Sequence, residues 1–293
     1  MDENLDDALA AFEAVRGRLF GIAYRMLGSA GEAEDIVQDA WLRWQGTDRT
    51  AVENPPAFLA TTTTRLAINA LQSAHSRRET YIGPWLPEPV DTSEDPTLGA
   101  ERAEALGFAV LVMLEKLTPT ERAAYVLREA FSYPYDQICE IVQVSEPAAR
   151  QLVSRARKHL TGETRREVSR QEQRRLLTVF LAAARTGDLV ELERLFAEDV
   201  VSYTDGGGRV RASKFPVVGR LRVAKFVRAF HTHFWEGVDI TEAETNGQPS
   251  VLLSKDGSTF AVLTVIAGAR GIDQVLWMMN PDKLGAVTAR ASA

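Results

Sequence analysis

Residues 132–160, SYPYDQICEIVQVSEPAARQLVSRARKHL, decide how this chain is read. In their second half Ala149, Leu152, Val153, Ala156 and Leu160 recur at three- and four-residue spacing, which draws one apolar stripe down a helix. Arg150, Gln151, Ser154, Arg155, Arg157 and Lys158 fall on the remaining arc. Ser145 suits an N-cap, and Pro147 fits a first turn, where N–H groups have no intrahelical partner. The first half predicts a shorter helix over about 135–142, with Ile138, Ile141 and Val142 inward and Val144 in the turn that follows. Two helices about so short a turn make a helix-turn-helix, whose second helix meets base edges with its N-terminal part and phosphates with its other cations. Arg150, Gln151, Ser154 and Arg155 are the base-edge candidates, and Arg157 and Lys158 the phosphate candidates. A solvated cationic face would show the same pattern, so the surrounding chain has to separate the two readings.

The net charge of -6 argues against a nucleic-acid partner only if it is spread evenly, and it is not. Residues 1–40 hold nine acids against three bases, whereas residues 150–175 hold nine bases against three acids. One surface is therefore basic, and another is acidic and suited to a different partner. The single cysteine, Cys139, excludes an intrachain disulfide and reads as a small core residue beside Ile138 and Ile141. The sequence contains no eighteen-residue apolar run, and its acidic start lacks the features of a signal peptide, which predicts a cytoplasmic protein with no membrane partner.

A length of 293 residues suits two or three domains. Apolar spacing over 5–27, ended by Gly28-Ser29-Ala30-Gly31, predicts a first helix. A second is expected over 32–44 with Ile36, Val37, Ala40, Trp41 and Trp44 inward. Asn54-Pro55-Pro56 reads as a turn, and 58–78 as a third helix with a Thr-rich and finally cationic face. Residues 79–104 carry four prolines and seven acids against one arginine, the composition of an extended linker. Within it Trp85-Leu86-Pro87-Glu88-Pro89 places an aromatic in a solvated segment and predicts docking on a neighbouring domain. An apolar helix over 106–117 and a helix start at Thr118-Pro119 then lead into the helix-turn-helix. After residue 175 two helices, over 176–184 and 189–196, precede short alternating runs at 200–204, 251–254, 259–266 and 272–279, with a helix near 221–234 between them. Helices on one curved antiparallel sheet are the expectation there. The domains predicted are 1–78, a linker over 79–105, 106–163 and 171–284.

Ala33-Glu34-Asp35-Ile36-Val37-Gln38-Asp39-Ala40-Trp41, the cationic 65–78 helix and the helix-turn-helix stand in an order and spacing that resemble the extracytoplasmic-function class of sigma-70 superfamily initiation factors. The resemblance covers roughly residues 5–160. It implies that Asp35, Gln38 and Asp39 dock on core RNA polymerase, and that Arg65, Asn69, Gln72, His75, Arg77 and Arg78 engage and open the -10 promoter element. It implies further that the 145–158 helix reads the -35 element. The family often has Asn where Arg65 stands and Asp where Asn69 stands, a departure that leaves the exact base roles of these two positions open. The Thr61–Thr64 run either hydrogen-bonds phosphate or is a poor helix former held by packing.

Residues 171–284 resemble a SnoaL-like domain of the cone-shaped NTF-like α+β fold, which a subclass of these factors carries as a fusion. Three signatures match: Trp85-Leu86-Pro87-Glu88-Pro89, Asp205-Gly206-Gly207-Gly208 followed by Arg209 where Lys is usual, and Asn280-Pro281-Asp282-Lys283-Leu284. The glycines suit a tight loop pressed against another segment, and no lysine-serine continuation or following helix makes the loop a P-loop. The resemblance implies intramolecular regulation through Trp85, Leu86, Pro87, Asp205–Gly208 and Asn280–Lys283 instead of a separate anti-sigma factor. SnoaL-like folds also include enzymes, and Tyr203, Asp205, His231, His233 and Asp239 are the residues a catalytic cone would use. Their spacing pairs no two of them, and His231 and His233, two apart on a helix, point in different directions, so neither a catalytic set nor a metal site is expected, and no cofactor. The alternative reading is a sigma factor or other DNA-binding regulator whose cone binds or turns over a small molecule.

Overall fold

A computed structural model describes residues 3–92, 108–161 and 168–288, with the side chains of 3, 4, 74–79, 108, 109, 161, 286 and 288 outside that description. The chain divides into two compact units, Met1–Glu79 with Val110–Glu163, and Thr80–Ala109 with Thr164–Ala293.

The first unit is helical. Helix α1 (Glu3–Leu27) ends where Gly28, at φ 68°, turns the chain left-handed and donates to Tyr24 O. Helix α2 (Ala30–Gln45) starts on Ser29, whose side chain accepts from Glu32 N. It buries Ile36, Val37, Ala40 and Trp44 as its periodicity predicts. Trp41 is half-buried against Phe12, with ring centroids 5.0 Å apart, and the Trp44 indole donates to Ala8 O at 3.0 Å. Helix α3 (Pro55–Glu79) begins earlier than the sequence reading has it, because Pro55 and Pro56 form its first turn rather than ending a loop. Their missing N–H groups cost nothing there, and Asn54 caps the turn by accepting from Ala57 N. Helix α4 (Phe108–Leu114) is followed by α5 (Pro119–Phe131), which opens on a full capping box: Thr118 accepts from Glu121 N and the Glu121 carboxylate accepts from Thr118 N. Helices α6 (Tyr135–Val142) and α7 (Glu146–Thr161) form the helix-turn-helix, with Gln143 at φ 59° reversing the chain between them.

In the second unit α8 (Arg170–Thr186) and α9 (Leu189–Leu195) lead into a six-stranded sheet ordered β2-β1-β6-β5-β4-β3. The strands are β1 (Phe196–Asp205), β2 (Val217–Val218), β3 (Asp239–Thr245), β4 (Gln248–Lys255), β5 (Ser258–Gly268) and β6 (Gly271–Met278), with α10 (Arg220–Ala229) between β2 and β3. The sheet is mixed and not purely antiparallel as expected: β1 runs parallel to β6, and only its other pairs are antiparallel. A parallel pair needs a long crossover, and the whole β2–β5 segment supplies one. Strand β3, Asp-Ile-Thr-Glu-Ala-Glu-Thr, escapes the sequence reading because an edge strand with polar residues has little apolar alternation. Phe180, Val251, Leu253, Leu263, Val265, Val275 and Trp277 make the core of this unit. The chain closes with a 3-10 turn (Pro281–Lys283) and α11 (Gly285–Thr288).

Candidate nucleic-acid interface and linker clamp

Helix α7 separates its faces as its periodicity demands. Ala149, Leu152, Val153, Ala156 and Leu160 are buried, while Arg150, Gln151, Ser154, Arg155, Arg157 and Lys158 are all exposed. Ser145 accepts from Ala148 N at 3.4 Å and holds the start of the helix. Three of its arginines already have carboxylate partners: Arg150 with Glu146 at 2.5 Å, Arg155 with Glu121 at 3.4 Å and Arg157 with Glu129 at 2.7 Å. The Arg150 guanidinium also lies 4.3 Å from the Tyr135 ring centroid. The hydrogen bond and charge of Glu129 raise the Arg157 pKa above its ordinary value. The Arg150 and Arg157 pairs are solvent-exposed and stabilise by about 1 kcal/mol or less, so a phosphate can replace those carboxylates at little cost, whereas the Glu121 partner of Arg155 is buried.

On α2, Asp35, Gln38 and Asp39 are exposed on the face opposite the buried stripe. On α3, Asn69 and Gln72 are exposed, and the side chains of His75, Arg77 and Arg78 lie outside the described residues. Arg65 is exposed but engaged: it donates from Nε to Ile141 O at 3.1 Å and from Nη2 to Glu140 O at 2.8 Å. Its guanidinium caps the C-terminal carbonyls of α6, a position favourable for a cation, instead of standing free for promoter DNA as the sequence reading has it. Of the Thr61–Thr64 run, Thr63 and Thr64 are fully buried, and Thr64 donates to Ala60 O, so packing and not phosphate accounts for that pair.

The periodicity gives no sign of Arg122, which is 2% exposed, donates to Met26 O at the end of α1 and pairs with Glu115 at 2.8 Å. Nor does it show Arg18, which donates to Phe131 O and lies 4.7 Å from the Tyr133 ring centroid. Together with Arg65 these residues pack α1 and α3 against α5 and α6.

In the second unit the three signatures converge on one buried carboxylate. Asp205, fully buried at the end of β1, accepts from Leu86 N and Lys283 Nζ on Oδ2, both at 2.8 Å, and from Tyr81 OH and Gly207 N on Oδ1 at 2.5 and 3.1 Å. Lys283 Nζ also donates to Leu86 O and lies 4.1 Å from the Trp85 ring centroid. Asn280 donates to Tyr81 OH at 2.9 Å, and Arg209 pairs with Asp282 at 3.1 Å. Burial, reinforced by Asp205, raises the Tyr81 hydroxyl pKa well above the usual phenol value. The glycines serve close approach: a Cβ on Gly207, at φ 58°, would overlap the Asn280 amide, and one on Gly206 would overlap Ala212.

The segment 81–92 is thus not free linker. Leu86 and Pro87 are buried, Trp85 is half-buried, Val90 and Asn246 exchange hydrogen bonds, Thr92 N donates to Glu244 O, and Asp91 bridges Thr245. Residues 93–107 lie outside the described residues. With four hydrogen bonds on its carboxylate, Asp205 is a structural anchor and not the acid of a catalytic cone. The expected helix around His231 and His233 ends at Ala229, and the two histidines sit in the turns beyond it; His231 bonds Arg228 O through Nδ1, and His233 lines a cavity beside α10. Asp239 opens the edge strand β3, exposed. Among the described residues no group of three or more His, Cys, Asp or Glu side chains could hold a metal, and no helix is long and apolar enough to cross a membrane.

Residues 11–77 match the family model for sigma-70 region 2, and residues 108–160 that for sigma-70 region 4. The chain is 36% identical to the ECF RNA polymerase sigma factor SigJ of Mycobacterium tuberculosis over 94% of its own length and 92% of that protein's. The chain belongs to the ECF sigma factors. It is also 30% identical, over 97% of both chains, to the probable ECF RNA polymerase sigma factor SigI of the same species. The crystal structure of Mycobacterium tuberculosis SigJ superposes on this sigma factor with a TM-score of 0.76 at 32% identity, covering 95% of this chain and 98% of that one. As an ECF sigma factor it directs transcription initiation with core RNA polymerase at promoter DNA, and the family is not enzymatic. Its C-terminal unit is an α+β domain on a mixed six-stranded sheet.

Proposed function

We propose that this sigma factor is regulated from within by its C-terminal domain, which takes the place of a separate anti-sigma factor by clamping the linker between regions 2 and 4. Exposed Asp35, Gln38 and Asp39 form part of the polymerase contact. Asn69, Gln72, His75, Arg77 and Arg78 face the -10 element, joined by Arg65 once it leaves α6. Arg150, Gln151, Ser154 and Arg155 read -35 base edges, with Arg157 and Lys158 on phosphates.

The observation that carries the regulatory reading is the packing of region 2 on region 4 through Arg65, Arg122 and Arg18. Elements centred at -10 and -35 are roughly 25 base pairs apart, or roughly 85 Å at 3.4 Å per base pair. A compact unit of about 130 residues has a radius of gyration near 14 Å and spans roughly 35–40 Å. The closed unit therefore cannot reach both elements at once, and regions 2 and 4 must part. A free 28-residue linker reaches roughly 95 Å at full extension, enough to let them do so. Fastening 81–92 to Asp205, Lys283 and the β3–β4 hairpin leaves only residues 93–107 before region 4, a length of chain that reaches roughly 50 Å at most. The clamp thereby favours the closed state, and an activating signal opens it only to the extent that it binds the open form better.

The test is run-off transcription with core polymerase, comparing the full chain with one ending at Met279. Loss of the Asn280–Lys283 signature removes the Lys283 and Asn280 contacts to the linker and raises transcript yield, while leaving the -35 footprint in place. Equal yields from the two chains, and from a third ending at Arg170, sink the regulatory reading but not the assignment as a sigma factor.

A further inference from the structure

The C-terminal domain holds a cavity of about 510 Å³ bounded by α10, the turns at 230–235 and the ends of β1 and β6. That volume suits a small organic molecule. Its walls are aromatic: Phe226, Phe230, Phe234, Trp235 and Trp277 line it, and Phe234 meets Trp277 and Trp235 edge-on with centroids 5.7 and 4.9 Å apart. Such edge-to-face walls accept a flat ring well.

The polar groups are mainly donors. Thr204 and Trp277 are register partners on adjacent strands, so both side chains leave the same face of the sheet towards the cavity. The Trp277 side chain is more than nine-tenths buried, and its indole Nε1–H has no hydrogen-bond partner. Arg211 and His233 stand exposed at the rim. Among the described residues no Asp or Glu lines the cavity.

We propose that this cavity is a binding site for a planar aromatic molecule carrying a carboxylate, its ring between Phe230, Phe234 and Trp277 and its anion towards Arg211. A carboxylate meets the Arg211 guanidinium at the rim, whereas a cationic ring finds no counter-charge. The site is also continuous with the clamp: Thr204 precedes Asp205, Met279 precedes Asn280, and Arg211 shares a loop with Gly206–Gly208. A ligand here is thus placed to bias the linker clamp, and this second half rests on the regulatory reading above.

The probes are 2-naphthoate and 2-naphthylmethylamine, titrated by calorimetry and tryptophan quenching into the full chain. One saturable site for naphthoate is expected, with affinity roughly tenfold or more above that of the amine. Ala229→Trp, which fills the mouth from the surface end of α10, removes binding; Arg211→Gln weakens naphthoate at least threefold and leaves the amine unchanged. Circular dichroism shows whether each variant is folded. Lack of saturation at millimolar naphthoate, preference for the amine, or unchanged binding in both folded variants overturns the site. Asp205→Asn tests the coupling: a changed naphthoate affinity supports it, because coupling is reciprocal, and an equal affinity removes the coupling while leaving the site.

Discussion

Asp205 ties the linker segment to the C-terminal domain, because its buried carboxylate accepts from Tyr81 OH, Leu86 N and Lys283 Nζ at once. Asp205→Ala strands the Lys283 ammonium in a site that is 8% exposed, and a broken buried pair costs about 3–5 kcal/mol. Urea unfolding of the full chain should show a loss of that size in the transition assigned to this domain; a loss under about 1 kcal/mol contradicts the anchor role. Tyr81 supplies a pH signature. Its folded pKa is raised, so it contributes stability that is full below the unfolded phenol value near 10 and is lost as pH climbs from there towards the folded value. Wild type should therefore lose stability above pH of about 10 more steeply than Tyr81→Phe, with parallel curves at neutral pH. Identical slopes up to the alkaline limit would falsify this assignment. Asp205 is legible in the chain through the glycines behind it, while Tyr81 stands outside every periodic pattern.

Among the elements, α7 was the most legible, since an amphipathic helix carries its buried and exposed faces in its own spacing. Its DNA role makes a quantitative prediction. Arg157→Ala removes one phosphate contact and lowers the slope of log affinity against log salt by roughly one, with promoter preference unchanged. Arg150→Ala instead relaxes the preference at a single -35 position; filter binding of the polymerase complex over a salt series separates the two, and equal effects on both quantities contradict the division of labour. Helix α3 was misread at its start because Pro-Pro is compatible with a turn and with a first helical turn alike, and only the Asn54 cap decides between them. The parallel β1–β6 pair was illegible for a different reason. Strand direction depends on the path of the whole intervening segment, and nothing local to either strand encodes it.

At the scale of the molecule the prediction concerns distance. Spectroscopic labels at Asn69 and Ser154, both exposed, in a chain carrying Cys139→Ser, should lie within roughly 40 Å in the free protein. They should move well beyond that when core polymerase and a promoter are added, because the two elements lie roughly 85 Å apart. An unchanged separation on promoter binding contradicts the opening step. The amino-acid sequence by itself determined the family, the two helical regions, the reading helix and the three signatures, since helical periodicity, capping and turn chemistry act over a few residues. Only the tertiary structure decided that Arg65 grips α6, that Arg122 is buried at the end of α1, and that Tyr81, Leu86, Asp205, Asn280 and Lys283 share one site. Those partners are separated by tens to hundreds of residues, and a buried charge finds its counterpart through the folding of the whole chain and not through any pattern along it.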